Sequence, residues 1–213
     1  MKNFIPDGEL LASVGSEPDY LMSIWNWRSE QIILRAKAFS QDIFRVAWSS
    51  ELPGVLTSAG IGHIRFWRMA DTFTGLKLQG NLGKFGKIEL SDIEGFVILP
   101  DGKVLSGCEW GNMLVWEGDL IKVQIARKGH RPCHQREIMQ IIMDEGELMT
   151  IGRDGWIRTW DFETIDTAEC TEEGGIYEME PMNECHIRSD VQLMHMVKSL
   201  DSDSTMWYAQ VRQ

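Results

Sequence analysis

The sequence predicts an all-β fold of repeated, four-stranded antiparallel blades, because a tryptophan recurs at a nearly constant period after similar runs. Five segments of alternating apolar and polar residues end in a tryptophan, and these end residues are Trp25, Trp67, Trp116, Trp160 and Trp207. They follow one another at intervals of 42, 49, 44 and 47 residues. Such a period is typical of β-propeller blades. Because a single blade cannot bury both of its faces, we expect the blades to stack on their neighbours.

The length of the chain predicts an incomplete propeller over residues 1–213. A closed seven-bladed ring needs on the order of 300 residues, so this chain holds roughly four to five blades, arranged in an open arc. The first blade is expected to lack its innermost strand, since its first strand pattern follows a turn at Pro6-Asp7-Gly8. The fifth blade stops soon after Trp207. These two ends predict a fragment, a short isoform or a partial gene model.

The individual strands are predicted from alternating runs bounded by turn residues. The second blade is expected to start at about Ile32, and residues 75–86 to form a long outer strand and loop. The clearest hairpin signal is Asp154-Gly155 between two alternating runs of the fourth blade. The predicted strands are, in chain order, 9–14, 21–27, 44–48, 56–60, 63–67, 95–99, 103–107, 112–116, 139–143, 147–152, 156–161, 191–197 and 204–208.

The composition disfavours several classes of partner. The chain is 43% apolar and 25% charged, which is typical of a soluble globular protein. Its net charge of −11 repels the phosphates of nucleic acids and an anionic membrane surface. It has no signal-peptide pattern and no apolar run of about 18 residues, and its four cysteines form no Cys-x-x-Cys pair. We therefore expect a soluble intracellular protein with reduced thiols and neither nucleic acid nor membrane as a partner.

Residues 161–187 form an acidic segment between the fourth and fifth blades. Nine of them are Asp or Glu and none is Lys or Arg. One interpretation is a solvated outer strand and loop. The alternative is a contact surface for a basic segment of a partner. The carboxylates of this candidate contact are Glu169, Glu172, Glu173, Glu178 and Glu180.

The fourth blade carries a polar motif. Gly129-His130, followed at a distance by Trp160-Asp161, resembles the signature of WD repeats. The resemblance implies a buried hydrogen-bonded network of a histidine, a strand hydroxyl, a turn aspartate and the blade tryptophan, carried here by His130, Thr150, Asp154 and Trp160. Such a network satisfies buried polar groups and fixes the strand register, so its predicted role is structural and not catalytic.

No pattern in the sequence predicts an enzyme. The pairs Cys133-His134 and Cys185-His186 are 52 residues apart, and adjacent Cys and His chelate a metal poorly. Gly60-Ile61-Gly62 is not followed by a helix, so it is no dinucleotide fingerprint. We find no metalloprotease, nucleophile-elbow or phosphate-loop motif. The sequence therefore predicts a non-catalytic protein with no metal or cofactor.

Further stretches resemble one family of WD-repeat proteins, the cilia- and flagella-associated proteins of the axoneme. The resemblance implies a scaffold of the ciliary or flagellar axoneme, located in the cytoplasm and cytoskeleton. It implies as partners the subunits of a tether complex, an inner-arm dynein and the doublet microtubule. Two alternatives stay open: a generic cytoplasmic WD-repeat adaptor, and a truncated fragment without function. The stretches that carry the resemblance are 6–17, 24–28, 62–69, 72–80, 109–118, 154–158 and 160–168.

Overall fold

The regular secondary structure of the described residues is almost all β-strand, and nearly all of the strand pairs are antiparallel. The computed structural model describes residues 2–171, 174–188, 190–199 and 207–212. In the described residues the strands are β1 Lys2–Phe4, β2 Leu10–Val14, β3 Leu21–Asn26, β4 Gln31–Lys37, β5 Ile43–Trp48, β6 Val55–Gly60, β7 His63–Thr72, β8 Gly75–Leu82, β9 Phe96–Ile98, β10 Val104–Gly107, β11 Met113–Glu117, β12 Leu120–Ala126, β13 Ile138–Asp144, β14 Glu147–Gly152, β15 Trp156–Asp161, β16 Ile176–Glu178, β17 Asn183–His186, β18 Gln192–Lys198 and β19 Trp207–Arg212. A short helix, α1, spans Phe162–Asp166.

The strands form five sheets, which we number in chain order. Sheet 1 has the strand order β1-β2-β3-β4, and sheet 2 has the order β5-β6-β7-β8. Sheet 3 has the order β16-β12-β11-β10-β9, sheet 4 the order β13-β14-β15-β17, and sheet 5 consists of β18 and β19. Sheets 1, 2 and 4 have four antiparallel strands each, and sheet 3 has four besides β16, which is the blade architecture expected of a WD40-type fold.

The chain divides into two compact units. Sheets 1 and 2 lie in the first unit, and sheets 4 and 5 lie in the second. The first unit comprises Met1–Ile93, Ile98–Val104 and Trp116–Ile121, and the second comprises Glu94–Val97, Leu105–Val115 and Lys122–Gln213.

Sheet 1 is a complete four-stranded blade, so the expectation that its innermost strand is missing was wrong. β1 pairs with β2 from Lys2 opposite Ser13 to Phe4 opposite Leu11. The side-chain and main-chain oxygens of Asn3 accept hydrogen bonds of 3.1 Å from the main-chain and indole N–H groups of Trp48. Three residues are too few for an alternating pattern to be recognised in the sequence.

The second blade also starts later than predicted. Ile32 lies on β4, the last strand of sheet 1, and sheet 2 begins at Ile43. The core between sheets 1 and 2 is apolar and includes Ala12, Val14, Met22, Ile24, Val46, Trp48, Leu56 and Trp67. Burial of one such aliphatic side chain contributes about 1.5–3 kcal/mol.

Four of the repeated tryptophans occupy the third strand of their sheet in chain order. Trp67 is 2% exposed, Trp116 and Trp160 are fully buried, and Trp25 is half-buried. Trp207 differs, because it begins β19 opposite Lys198 instead of ending a strand. Residues 200–206, which include most of the predicted strand 204–208, lie outside the described residues.

The described residues of the acidic segment 161–187 include a short helix and two largely exposed outer strands. The Asp161 side chain caps the N-terminus of α1. β16 then pairs in parallel with β12 of sheet 3, and β17 pairs antiparallel with β15 of sheet 4. Within the described part of the chain, no helix is long and apolar enough to cross a membrane.

Candidate functional site

A buried chain of polar side chains crosses sheet 4. The indole Nε1–H of Trp160 donates to the Thr150 hydroxyl at 2.8 Å. That hydroxyl lies 2.7 Å from Nε2 of His134, whose Nδ1 lies 2.9 Å from Oδ1 of Asp154. The ring of His134 is fully buried and the Asp154 carboxylate is 5% exposed. If the Thr150 hydroxyl donates to Nε2 and Nδ1–H donates to Asp154, both ring nitrogens have a partner, and Nη1 of Arg158 also lies 3.0 Å from Nδ1.

The histidine of this network is His134, and the assignment of His130 to it was wrong. His130 lies in a turn, with a φ of 56° and a side chain that is 71% exposed. Its main-chain N–H donates to the Glu178 carboxylate at 2.8 Å. The Gly-His dipeptide that suggested His130 is thus a surface turn. The other three members assigned to the network, Thr150, Asp154 and Trp160, lie together.

His134 is held in place by the backbone on both sides. Its N–H donates to the carbonyl oxygen of Gly111 at 2.9 Å. The next residue, Gln135, donates its N–H to Oδ2 of Asp154 at 2.9 Å. A signal was present in the sequence, since His134 lies just ahead of β13, where the histidine of a blade network is needed. The neighbouring Gly-His dipeptide obscured that signal.

Burial and hydrogen bonding set the protonation of the pair. Burial lowers the pKa of His134, which keeps its ring neutral near neutral pH. Burial alone would raise the pKa of Asp154, but hydrogen bonds from His134 and from the N–H groups of Gln135 and Trp156 bring it down to about 2. The pair is therefore a neutral imidazole beside a carboxylate, and neither group is open to solvent.

A second cluster joins the acidic segment to basic side chains of the same chain. Arg127 donates Nε–H to Oε2 of Glu180 at 2.7 Å and reaches Glu184 at 3.2 Å. Arg131 reaches the other oxygen of Glu180 at 2.7 Å, and Arg158 donates Nε–H to Glu184 at 3.0 Å. Burial alone would raise the pKa of Glu180, but hydrogen bonds from Arg127 hold it below its usual value. The sequence analysis did not identify these arginines.

These contacts bear on the candidate acidic surface. Glu178 and Glu180 bind the turn that contains Lys128 and His130, and Glu169 lies 3.4 Å from Nζ of Lys122. A basic partner protein would therefore have to compete with contacts inside the chain, most of all at Glu180, while Glu169 is 78% exposed, so the contact stays a prediction. Glu172 and Glu173, the other two residues of the candidate surface, lie outside the described residues.

The cysteines and histidines do not converge on a metal site. Among the residues that the structure describes, no group of three or more His, Cys, Asp or Glu side chains is placed to hold a metal ion. Cys108 and Cys133 are buried, whereas Cys170 and Cys185 are exposed, and all four are free thiols. Burial raises the pKa of Cys133 to about 12, which keeps it protonated and unreactive.

Repeated antiparallel sheets, third-strand tryptophans and a buried His–Asp pair define an all-β protein built from WD40-type blades. The chain is 56% identical over 208 residues to cilia- and flagella-associated protein 44 of Mus musculus, a match that covers 98% of this chain and 11% of the relative. It is 61% identical over 137 residues to the protein of the same name from Chlamydomonas reinhardtii, covering 64% of this chain and 8% of the relative. The chain is therefore homologous to a stretch of cilia- and flagella-associated protein 44.

A more distant relative has a microtubule-associated name. The 77 kDa echinoderm microtubule-associated protein of Strongylocentrotus purpuratus is 24% identical over 173 residues, which cover 79% of this chain and 24% of the relative. No family model matches the chain. The chain spans about a tenth of the length of the two cilia- and flagella-associated relatives.

Proposed function

We propose that this chain contributes blades to a non-catalytic, protein-binding scaffold of the ciliary or flagellar axoneme. The observation that carries the proposal is the homology to cilia- and flagella-associated protein 44, which runs through 98% of the chain. The microtubule-associated name of the more distant relative supports a cytoskeletal location.

The geometry of the buried pair supports a role without catalysis. A general acid or base must reach a proton of its substrate. His134 is fully buried, and both of its ring nitrogens lie within hydrogen-bond distance of Thr150 or Asp154. This His–Asp pair is therefore part of the internal structure of sheet 4, which supports a structural role for it.

As the finer form of this proposal, the scaffold tethers an inner-arm dynein to the doublet microtubule, together with other tether-complex subunits. This form rests on the resemblance of several stretches to axonemal proteins. The net charge of −11 supports protein partners in preference to nucleic acid. The alternative is a cytoplasmic WD-repeat adaptor that recruits a soluble partner.

The location is tested by tagging the native full-length gene that contains this stretch in a flagellated cell. We expect the tagged protein in the axoneme after a non-ionic detergent has removed the membrane and the soluble matrix. A tagged soluble cytosolic protein serves as the control for incomplete extraction. A tagged protein that is diffuse and fully extracted would favour the adaptor.

The partners are tested by cross-linking mass spectrometry on isolated axonemes. Lys77 and Lys87 are exposed and serve as reporters. We expect cross-links from this stretch to tubulin, to an inner-arm dynein heavy chain or to both. An axonemal protein that cross-links to neither would retain the scaffold proposal and refute the tether role.

A further inference from the structure

We infer that residues 174–187, here called the strap, form an electrostatic latch that opens as a unit while the sheets beneath it stay folded. The strap closes the outer edges of sheets 3 and 4, which neighbour it through β12 and β15. The inference goes beyond the proposed function, because it depends only on contacts within the second unit.

The strap reaches two sheets through main-chain hydrogen bonds. Gln124 on β12 donates its N–H to the Gly175 carbonyl at 2.9 Å, and the Met179 N–H donates to the Ala126 carbonyl at 2.9 Å. Further along, the Met182 N–H donates to the Thr159 carbonyl on β15 at 2.8 Å. One short segment therefore supplies the outermost strand of both sheets.

Apolar burial contributes little to holding the strap. Of its described side chains only Met179 is buried, at 8% exposure. Ile176, Met182 and Ile187 are 37%, 47% and 40% exposed, and the four residues of β17 are all exposed. Because the hydrophobic contribution scales with the apolar area removed from water, other contacts must hold the strap closed.

Besides its main-chain hydrogen bonds, the strap is held by pairs of opposite charge. Glu180 binds both Arg127 and Arg131, and Glu184 binds Arg127 and Arg158. Arg127 and Arg158 are only 16% and 6% exposed at the side chain, but their partners Glu180 and Glu184 are 31% and 38% exposed, so dissolved salt can reach and weaken these pairs.

The backbone of the opposing turn completes the latch. The N–H groups of Lys128 and His130 point at the carboxylates of Glu180 and Glu178, at 3.2 and 2.8 Å. Gly129 and His130, in the same turn, both adopt positive φ. Opening the strap would leave unpaired backbone groups along β12 and β15, the kind of edge to which a partner strand can add.

The inference is tested by amide hydrogen exchange on the full 213-residue chain at low and high salt. The reporter amides are those of Gln124, Met179 and Met182, and the amides of β14 serve as the internal reference for the sheet core. Raising the salt from about 0.1 M to about 1 M shortens the Debye length from about 10 to about 3 Å. We expect the reporter amides to exchange about tenfold faster at high salt while the β14 amides do not change.

Two variants remove a charge from the strap's ion pairs without added salt. Arg127→Gln and Glu180→Gln are each expected to accelerate the reporter amides about tenfold at low salt and to weaken their response to salt. Arg188→Gln is the matched control, because the Arg188–Asp190 pair is exposed and lies just after the strap. Reporter amides that respond to neither variant nor salt would overturn the inference. An equal acceleration of the β14 amides would also overturn it, because the strap would then open only with the whole unit.

Discussion

Replacing His134 with alanine tests the buried network most directly. The change removes the hydrogen bonds to Thr150 and Asp154, each of which contributes about 1 kcal/mol net. It also leaves a cavity where a fully buried ring was packed, at a cost of about 1 kcal/mol or more. We therefore expect the free energy of unfolding to fall by about 3 kcal/mol.

The assay is urea unfolding, with His130→Ala as the matched control. The His130 side chain is 71% exposed, and its residue donates to Glu178 from the main-chain N–H, which the alanine variant keeps. Removing the side chain should therefore change the unfolding free energy by no more than about 0.5 kcal/mol. The two variants are compared by the urea concentration at the midpoint of unfolding, provided that the dependence of the unfolding free energy on urea is the same for both. If the two variants unfold at the same urea concentration, the network does not stabilise sheet 4 as described.

The pH dependence gives this prediction a second readout. Because burial lowers the pKa of His134, the unfolded chain takes up a proton below about pH 6.5 that the folded chain does not, and wild-type stability falls with pH. The His134→Ala variant does not lose stability in this way. The difference in unfolding free energy between wild type and variant should therefore become smaller from about pH 7.5 to about pH 5. Asp154 acts in a lower window: its folded pKa of about 2 contributes stability that is present above about pH 4 and is lost towards pH 2.

Two further predictions concern glycines and thiols of the second unit. Gly111→Ala should abolish or severely weaken folding, because a Cβ at this positive-φ position would overlap the backbone of His134. Gly129→Ala, also at positive φ but with open space around it, should cost only about 1 kcal/mol, as measured by thermal unfolding of both variants. Iodoacetamide should label Cys170 and Cys185 in the native chain, as read by mass spectrometry, and leave the two buried cysteines unlabelled until denaturant is added. Native labelling of all four would contradict the burial described above.

The sequence predicted the blade architecture well because tryptophan spacing and alternation are local signals. It missed β1 because three residues show no period, and β16 because that strand pairs with β12 across about fifty residues of chain. For the acidic segment the sequence left two interpretations open, a solvated outer strand and loop or a contact surface for a basic partner, because it does not show which basic residues of the same chain lie nearby. Charge is visible in a sequence, but the pairing of Glu180 with Arg127 depends on the fold.

The candidate network shows how a motif can mislead by a few residues. The Gly129-His130 dipeptide matches the expected signature in composition, yet the buried position belongs to His134. What decides between two histidines is the distance to the Thr150 hydroxyl and the Asp154 carboxylate, and that distance is set by the turn after β12. The sequence signature alone therefore cannot distinguish His130 from His134.

One local rule recurs in three sheets and could have been read from the sequence. In sheet 1 the indole of Trp25 donates to Ser13 at 2.8 Å, and in sheet 2 the indole of Trp67 donates to Ser58 at 2.9 Å. In both, the tryptophan lies opposite a leucine that precedes the serine by two residues.

Sheet 4 repeats this geometry, with Trp160 opposite Leu148 and its indole bound to the hydroxyl of Thr150. If the pairing of the second and third strands shifted by one residue, the hydroxyl and the indole would lie on opposite faces of the sheet. The indole N–H would then lose its hydrogen-bond acceptor. Sheets 1 and 2 therefore contain the tryptophan–hydroxyl half of the network, which fixes the register. Sheets 1 and 2 were predicted only from their tryptophans and their alternating residues. The hydrogen bond from the indole explains how each of them still specifies one strand pairing.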